Sequence, residues 1–158
     1  MIALLRVDHR LLHGQIAYSW VTYLGVNCIL IANDGVMNDA LRKAAIELAK
    51  PNGIKLVIKG INDSIKAINS GVTDKYKLLI VVEKTDDAIT LAKNCDRIKE
   101  IDLGNIKDRE GAKQIGLLFN ITEDEELKLK ELVDSGVKVG VQRLPEDKYV
   151  SLENSLRG

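Results

Sequence analysis

The sequence predicts an α/β fold, a single three-layer domain in which a mostly parallel sheet of roughly seven strands is flanked by helices. Short apolar runs rich in β-branched residues alternate with segments of helical periodicity along the whole chain, which is typical of βα units. The length of 158 residues fits one domain, residues 1–158, and suffices to bury a core. With 46% hydrophobic and 29% charged residues, the composition is that of an ordinary globular protein.

The strand predictions rest on short apolar runs whose β-branched content favours strands over helices. The first run leads directly into a charged segment, whereas the others are bounded by polar residues and glycines. The predicted strands are Ile2 to Val7, Cys28 to Ala32, Ile54 to Ile58, Leu78 to Val82, Ile98 to Leu103, Leu117 to Ile121 and Val137 to Gln142.

Helices are predicted where apolar residues recur at spacings of three and four. The clearest case is Asn38 to Lys50, which places an apolar face on one side and ends at Pro51-Asn52-Gly53. That face consists of Leu41, Ala44, Ala45 and Leu48. The other predicted helices are Gln15 to Leu24, Ser64 to Asn69, Asp86 to Asn94, a segment from the capping box Thr122-Glu123-Asp124-Glu125 to Gly136, and Val150 to Leu156.

Composition excludes several functional classes. The 23 basic residues are balanced by 23 acidic residues, so the chain lacks the positive excess of a nucleic-acid-binding protein. Cys28 and Cys95 are far apart and have neither the spacing of a metal site nor that of a disulfide framework. The sequence has no membrane-spanning run and no signal peptide at its start, so we expect a cytoplasmic protein.

The most informative segment is Arg6-Val7-Asp8-His9-Arg10-Leu11-Leu12-His13-Gly14-Gln15, which contains both histidines of the chain. It falls on the turn between the first strand and the first helix, where α/β folds bind ligands. A histidine is nucleophilic near neutral pH and can accept a phosphoryl group, whose transfer requires nearby positive charge. Arg10 lies three residues before His13. These residue types suit a phosphohistidine at His13.

The other members of the segment have supporting roles in this interpretation. Arg6, at the end of the strand, is a second candidate phosphate ligand, and Gly14 and Gln15 begin a helix whose amides favour an anion. Asp8 either holds an arginine or orients an imidazole. Arg6 and Asp8 also fit a simple strand-end ion pair.

Three alternatives apply to the same residues. A loop histidine is most often a surface or capping residue, and this is the favoured interpretation for His9. A metal site is weak, because Arg10 replaces the glutamate of the two-histidine metalloprotease pattern and no third ligand is evident. The turn also lacks the glycine patterns of dinucleotide and nucleoside triphosphate sites. We therefore predict neither a metal nor a cofactor.

Right-handed crossovers bring several further turns to the edge of the sheet that carries His13. They are Asn33 to Asn38, Glu83 to Asp86 and the loop Gly104 to Gly111. Together they predict a polar rim around the histidine segment. In this rim Asn33 and Asp34 are candidate docking residues for a partner.

The histidine segment resembles the active-site loop of IIB components of the mannose/fructose/sorbose family of sugar phosphotransferase systems. The resemblance continues in Ile31-Ala32-Asn33-Asp34, in Leu103-Gly104-Asn105-Ile106 and in Gln142-Arg143-Leu144-Pro145, so it spans nearly the whole chain. Arg6, Asp8, Arg10, Gly14 and Gln15 match the family motif. His9 departs from it, since family members often carry an acidic residue there.

The resemblance implies a phosphotransferase with a phosphohistidine intermediate. His13 would take a phosphoryl group from the phosphohistidine of a IIA domain and pass it to a hexose-type sugar carried by the membrane components IIC and IID. The protein would then be cytoplasmic and peripherally associated with the transporter, and self-association is left open. The alternative is a non-catalytic, regulatory α/β module that binds a phosphorylated small molecule at the same loop. The sugar itself is not predictable from this chain.

Overall fold

The structure is a computed structural model that describes residues 1–157. Its strands alternate with helices along the chain, as the periodicity predicts. The strands are β1 (Ile2–Asp8), β2 (Cys28–Ala32), β3 (Lys55–Lys59), β4 (Leu78–Val82), β5 (Glu100–Asn105), β6 (Ala112–Ile115), β7 (Phe119–Thr122), β8 (Lys138–Val141) and β9 (Val150–Ser151). The helices are α1 (Gly14–Leu24), α2 (Asp34–Met37), α3 (Ala40–Leu48), α4 (Ile61–Ser70), α5 (Thr85–Asn94), α6 (Glu123–Asp134) and α7 (Leu152–Arg157).

A seven-stranded sheet forms the middle layer, in the spatial order β3-β2-β4-β1-β5-β8-β9. All neighbouring pairs are parallel except β8 and β9, which confirms the predicted α/β fold and mostly parallel sheet. Helices cover both faces. Trp20 of α1, Val36 of α2 and Ile46 of α3 belong to the apolar cluster on one face, whereas Ile68 of α4 and Leu91 of α5 belong to the cluster on the other.

Two predictions in the C-terminal half are wrong in part, one in the partner of a strand and one in the first two residues of a helix whose remainder lies in α7. The predicted sheet strand Leu117 to Ile121 is largely β7, which pairs with β6 in a separate antiparallel hairpin. The seventh strand of the main sheet is instead β9, at the start of the segment predicted as the helix Val150 to Leu156. Periodicity identifies extended chain but carries no information about which strand it pairs with.

The predicted apolar face of α3 points away from the core. Leu41 and Leu48 are 83% and 88% exposed, and Ala44 and Ala45 are exposed as well. The helix packs through Ile46, on the opposite side, which is buried against the sheet. Because α3 lies beside an edge of the sheet, this single isoleucine is its buried contact with the core. The spacing of the apolar residues in the sequence therefore predicts the wrong face. Within residues 1–157, no helix has the length and apolar character that crossing a bilayer requires.

Candidate functional site

The loop between β1 and α1 lies at the carboxyl end of the central strand of the sheet. Leu11 and Leu12 are buried in the apolar cluster beneath α1. Leu11 has a φ of 60°, a left-handed conformation that costs a non-glycine residue on the order of 1 kcal/mol. Burial of the two leucine side chains offsets this cost. The loop is therefore anchored from below, and its course is fixed.

His13 follows these anchors and occupies the N-cap position of α1, with φ −140° and ψ 102°. Its side chain is exposed and, within the described part of the chain, makes no capping hydrogen bond. Gly14 and Gln15 open the helix and are also exposed. Their amides belong to the first turn, whose N–H groups have no carbonyl partner inside a helix and form its positive end. The surroundings of the imidazole therefore suit an anion.

Asp8 and Arg10 form a compact pair in the same segment as His13. A carboxylate oxygen of Asp8 accepts hydrogen bonds from the backbone N–H of Arg10 at 3.0 Å and from its Nε–H at 3.3 Å. Asp8 is buried, whereas the Arg10 side chain is 29% exposed. Of the two roles that the sequence leaves open for Asp8, the structure shows the contact with an arginine. Asp8 holds one edge of the Arg10 guanidinium and leaves the rest directed to the surface.

Arg6 differs from its predicted position at the phosphate, because its side chain is only 4% exposed. It forms ion pairs with Asp102 of β5 and, at 3.5 Å, with Asp8, and it donates to the carbonyl oxygen of Gln142 at 3.0 Å. Its guanidinium carbon lies 5.2 Å from the centre of the Trp20 ring. Side chains of a strand alternate between faces, so Arg6 points beneath α1 rather than out of the sheet edge. The geometry gives Arg6 a supporting position under the loop.

Asp102 is the partner that the sequence did not reveal. Burial raises the pKa of Asp102 to about 7, against the opposing effect of the Arg6 guanidinium. Gly104 completes the pocket of Arg6, since a Cβ atom at Gly104 would overlap the guanidinium group. A buried cation between Asp8 and Asp102 is therefore built into the base of the loop.

His9 lines a cavity of about 290 Å³ between the loop, the start of α5 and the segment Lys107–Arg109. Burial lowers the pKa of His9 from 6.5, although the neighbouring Asp8 carboxylate acts in the opposite direction. Burial therefore favours the neutral form of the ring. Among the described residues, no three His, Cys, Asp or Glu side chains are grouped so that they would hold a metal ion.

The predicted rim is present, but its side chains are mostly engaged in local structure. Asn33 is buried, caps α2 by accepting the N–H of Val36, and donates to Glu83 at 3.1 Å. Asp34 is exposed, and one of its carboxylate oxygens accepts the N–H of Ile61 at 2.8 Å. Asn33 therefore offers a partner little side-chain surface, whereas Asp34 remains accessible.

Comparison with known proteins identifies the family of this chain. Residues 2–157 match the family model described as the PTS system sorbose subfamily IIB component. The chain belongs to this family. It is thus a sugar-specific component of a phosphotransferase system, which is a class of sugar-transport proteins.

Relatives of this IIB component include proteins of different sugar specificity. It is 30% identical to the N-acetylgalactosamine-specific phosphotransferase enzyme IIB component 2 of Escherichia coli, over 96% of both chains. It is 27% identical to the fructose-specific EIIB component of Bacillus subtilis, over 92% of this chain and 90% of that one. The mannose-specific EIIAB component of Escherichia coli is 24% identical over 93% of this chain, which spans 46% of that protein.

Solved structures show the same fold. The IIB domain of the sorbose permease from Klebsiella pneumoniae superposes with a TM-score of 0.91, at 24% identity, over 99% of this chain and 96% of that one. An N-acetylgalactosamine IIB component from Streptococcus pyogenes, at 27% identity, gives a TM-score of 0.83 over 98% and 92% of the two chains.

The residues of this IIB component that sequence reasoning missed come from distant segments. Asp102 and Gln142 contact Arg6, and Trp20 donates from Nε1 to the carbonyl oxygen of Arg143 at 3.0 Å. The sequence of β5 contained no signal for the contact of Asp102, because Glu100 and Asp102 alternate with apolar residues as on a half-exposed strand. Arg109, in the loop after β5, pairs with the buried carboxylate of Glu125 in the capping box of α6. Nothing local in the sequence indicates that pairing.

Proposed function

We propose that His13 carries the phosphoryl group in this IIB component. In this proposal the imidazole of His13 attacks the phosphorus of a phosphohistidine on a IIA domain, so that one P–N bond breaks as another forms. The phosphoryl group then passes to a hexose-type sugar at the IIC and IID membrane components. The protein would act at the cytoplasmic side of the membrane, in contact with that transporter.

One observation carries the proposal. An exposed histidine sits at the positive end of α1, three residues after an arginine that a buried aspartate holds in place. The loose transition state of phosphoryl transfer spreads negative charge over the equatorial oxygens, which preorganised donors stabilise. Arg10 and the amides of Gly14 and Gln15 are such donors. Arg6 acts through Asp8, as a positioning residue.

The exposure of His13 is consistent with a relay. Transfer between two histidines is nearly isoenergetic, so a carrier that binds its phosphoryl group too tightly would not release it. A donor set at the surface, rather than in a deep pocket, keeps both steps accessible to large partners. Burial lowers the pKa of His9 and so disfavours a second positive charge next to this site.

The test is phosphorylation by a phosphorylated IIA domain of the same family, followed by intact-mass and phosphopeptide analysis. We expect one acid-labile, base-stable phosphate on His13. The His13→Ala variant should accept none, whereas His9→Ala should keep most of the labelling. A phosphate on His9 would refute the assignment, and phosphate bound without any covalent adduct would favour the non-catalytic alternative.

The proposed contact of Asp34 with the donor has its own test. Asp34→Lys reverses a charge on the exposed rim while His13 stays intact, and we expect slower transfer from the IIA domain. Lys66→Glu, a charge reversal on α4, serves as the control. Unchanged transfer in the Asp34 variant would remove that residue from the docking surface.

A further inference from the structure

The turn that joins β6 and β7 holds apolar side chains out into solvent. Leu117 is 82% exposed and Leu118 is 41% exposed. Single exposed leucines are common on protein surfaces and need no explanation by themselves. This pair differs because it is adjacent in the chain, at the tip of a hairpin, and close to the loop that carries His13. We call Leu117 and Leu118 the leucine tip.

Local contacts fix the position of the leucine tip. The side-chain amide of Gln114 donates to the carbonyl oxygens of Gly116 at 3.2 Å and of Leu117 at 2.9 Å. Gly116 has a φ of 63°, and a Cβ atom there would lie 2.9 Å from a methyl group of Val141 on β8. The turn is therefore seated against the main sheet. A rigid tip loses little conformational entropy when a partner covers it.

Backbone hydrogen bonds connect the leucine tip to the active-site loop. The N–H of Ile106 donates to the carbonyl oxygen of Leu118 at 2.9 Å, and the N–H of His9 donates to the carbonyl oxygen of Asn105 at 2.9 Å. Each such pairing separates neighbouring backbones by about 4.8 Å, which puts Leu118 roughly 10 Å from the backbone of His9. The tip thus lies near the His9 end of the loop that carries His13.

A protein partner that reaches His13 must cover this region. A specific interface of standard size covers about 800 Å² on each partner, which corresponds to a disc of roughly 16 Å radius. Such a disc centred on the loop includes the leucine tip. A few well-packed residues supply most of the binding energy of such an interface, and burial of an exposed apolar side chain adds to it.

We propose that the leucine tip is a docking anchor for the phosphodonor IIA domain. This inference rests on the proposed function, because it names the surface by which the donor approaches His13. The name of the EIIAB relative combines IIA and IIB in one protein. This is the reason for choosing a IIA domain as the partner. The apolar face of that domain would rest on Leu117 while its anionic phosphohistidine meets Arg10.

The test compares the Leu117→Ala and Leu117→Met variants with the unmodified chain. Transfer from a phosphorylated sorbose-family IIA domain is measured as a function of its concentration. Because truncation of a well-placed interface leucine weakens association, we expect KM for the donor to rise about tenfold in Leu117→Ala. The chemistry at His13 is untouched, so kcat should stay close to its original value. Leu117→Met, which keeps the apolar volume, should retain most of the affinity.

Leu48→Ala is the matched control. Leu48 is 88% exposed, like Leu117, but lies at the end of α3 that leads to the start of β3, at the opposite edge of the sheet. We expect its KM for the donor to be unchanged. An unchanged KM in Leu117→Ala would overturn the proposal. Loss of sugar phosphorylation by transporter membranes with normal transfer from the IIA domain would also overturn it, by assigning the tip to the membrane components.

A binding titration separates this inference from the proposed function. The unphosphorylated IIA domain is titrated into the isotope-labelled chain and the affinity is measured by nuclear magnetic resonance. If no phosphate reaches His13, the proposed function fails, yet weaker binding of Leu117→Ala would still support the docking surface. If His13 is labelled but Leu117→Ala binds as tightly as the unmodified chain, the docking inference alone fails.

Discussion

Replacement of Arg6 by methionine distinguishes a buried supporting arginine from a phosphate ligand. The Arg6 side chain is 4% exposed and lies between the carboxylates of Asp8 and Asp102. Methionine fills much of the same space but leaves Asp102 buried without its counter-charge. Removal of one partner from a buried ion pair costs about 3–5 kcal/mol of unfolding free energy. We expect a loss of that size for Arg6→Met at pH 8, measured by urea denaturation.

The pH dependence of that loss follows from Asp102. Burial raises its pKa to about 7 in the presence of Arg6. Removal of the arginine raises it further, because Arg6 is the group that lowers it. Protonation then removes the uncompensated charge, so the destabilisation by Arg6→Met should be smaller at pH 5.5 than at pH 8. The double variant Arg6→Met with Asp102→Leu should recover stability, since well-packed apolar residues replace buried ion pairs at little or no cost.

Arg10→Met is the comparison variant for Arg6→Met, because it removes the partly exposed arginine of the same segment. Its side chain is 29% exposed, and Asp8 keeps Arg6 as a second counter-charge, so we expect this variant to lose less stability than Arg6→Met. Loss of a transition-state donor slows transfer by about 10²–10³. We therefore expect Arg10→Met to stay folded and to transfer poorly. If Arg6→Met lost less than about 1 kcal/mol and transferred as poorly as Arg10→Met, Arg6 would be a phosphate ligand and the supporting role would be refuted.

Three further outcomes follow from the same region. In Asp102→Asn, the pH dependence of stability should change, because a raised folded-state pKa contributes stability that is present near pH 4 and lost as pH rises through about 7. The unfolding free energies of the two proteins should diverge by at most about 4 kcal/mol over this range, measured by denaturation at several pH values. Parallel curves for the two proteins would contradict this expectation. Gly104→Ala should destabilise the fold by about 1–3 kcal/mol, since the new methyl group overlaps the Arg6 guanidinium, and an unchanged melting temperature would show that Arg6 has room to move. Leu11→Ala should lower the free energy of unfolding by about 2–5 kcal/mol through lost burial. Leu11→Gly should be more stable than Leu11→Ala, because glycine relieves the positive φ. A lower melting temperature for Leu11→Gly than for Leu11→Ala would mean that the loop rearranges.

The fold class was predictable because the signals that determine it are local. Apolar runs such as Cys28 to Ala32 and Leu78 to Val82 are strands in the structure with the same bounds. The capping box at Thr122 is present with both of its hydrogen bonds, and Gly136 has a φ of 106° at the end of α6. Each of these features depends on residues within one turn or one strand, so a single sequence is sufficient to identify it.

The errors arise where the partner of a segment decides the outcome. β7 pairs with β6 in a separate hairpin and β9 pairs with β8 in the main sheet, and an apolar run by itself does not specify its partner. The position of Arg6 is the clearest case at the site. Its sequence neighbours suggest an arginine beside a phosphate, but strand alternation and the carboxylate of Asp102, almost a hundred positions away, turn it inward.

The two arginines of the segment differ in position: Arg6 is buried below the loop, whereas Arg10 is partly exposed. If His13 carries the phosphoryl group as proposed, one arginine has to stay accessible to the partners while the residues below it stay in place. Asp8 links the two requirements, because it contacts Arg6 on one side and Arg10 on the other. The buried ion pairs and the buried side chains of Leu11 and Leu12 hold the base of the loop, whereas His13, Gly14 and Gln15 are exposed and Arg10 is partly exposed. A preorganised site of this kind requires little rearrangement during transfer, which suits a step that must run nearly isoenergetically in both directions.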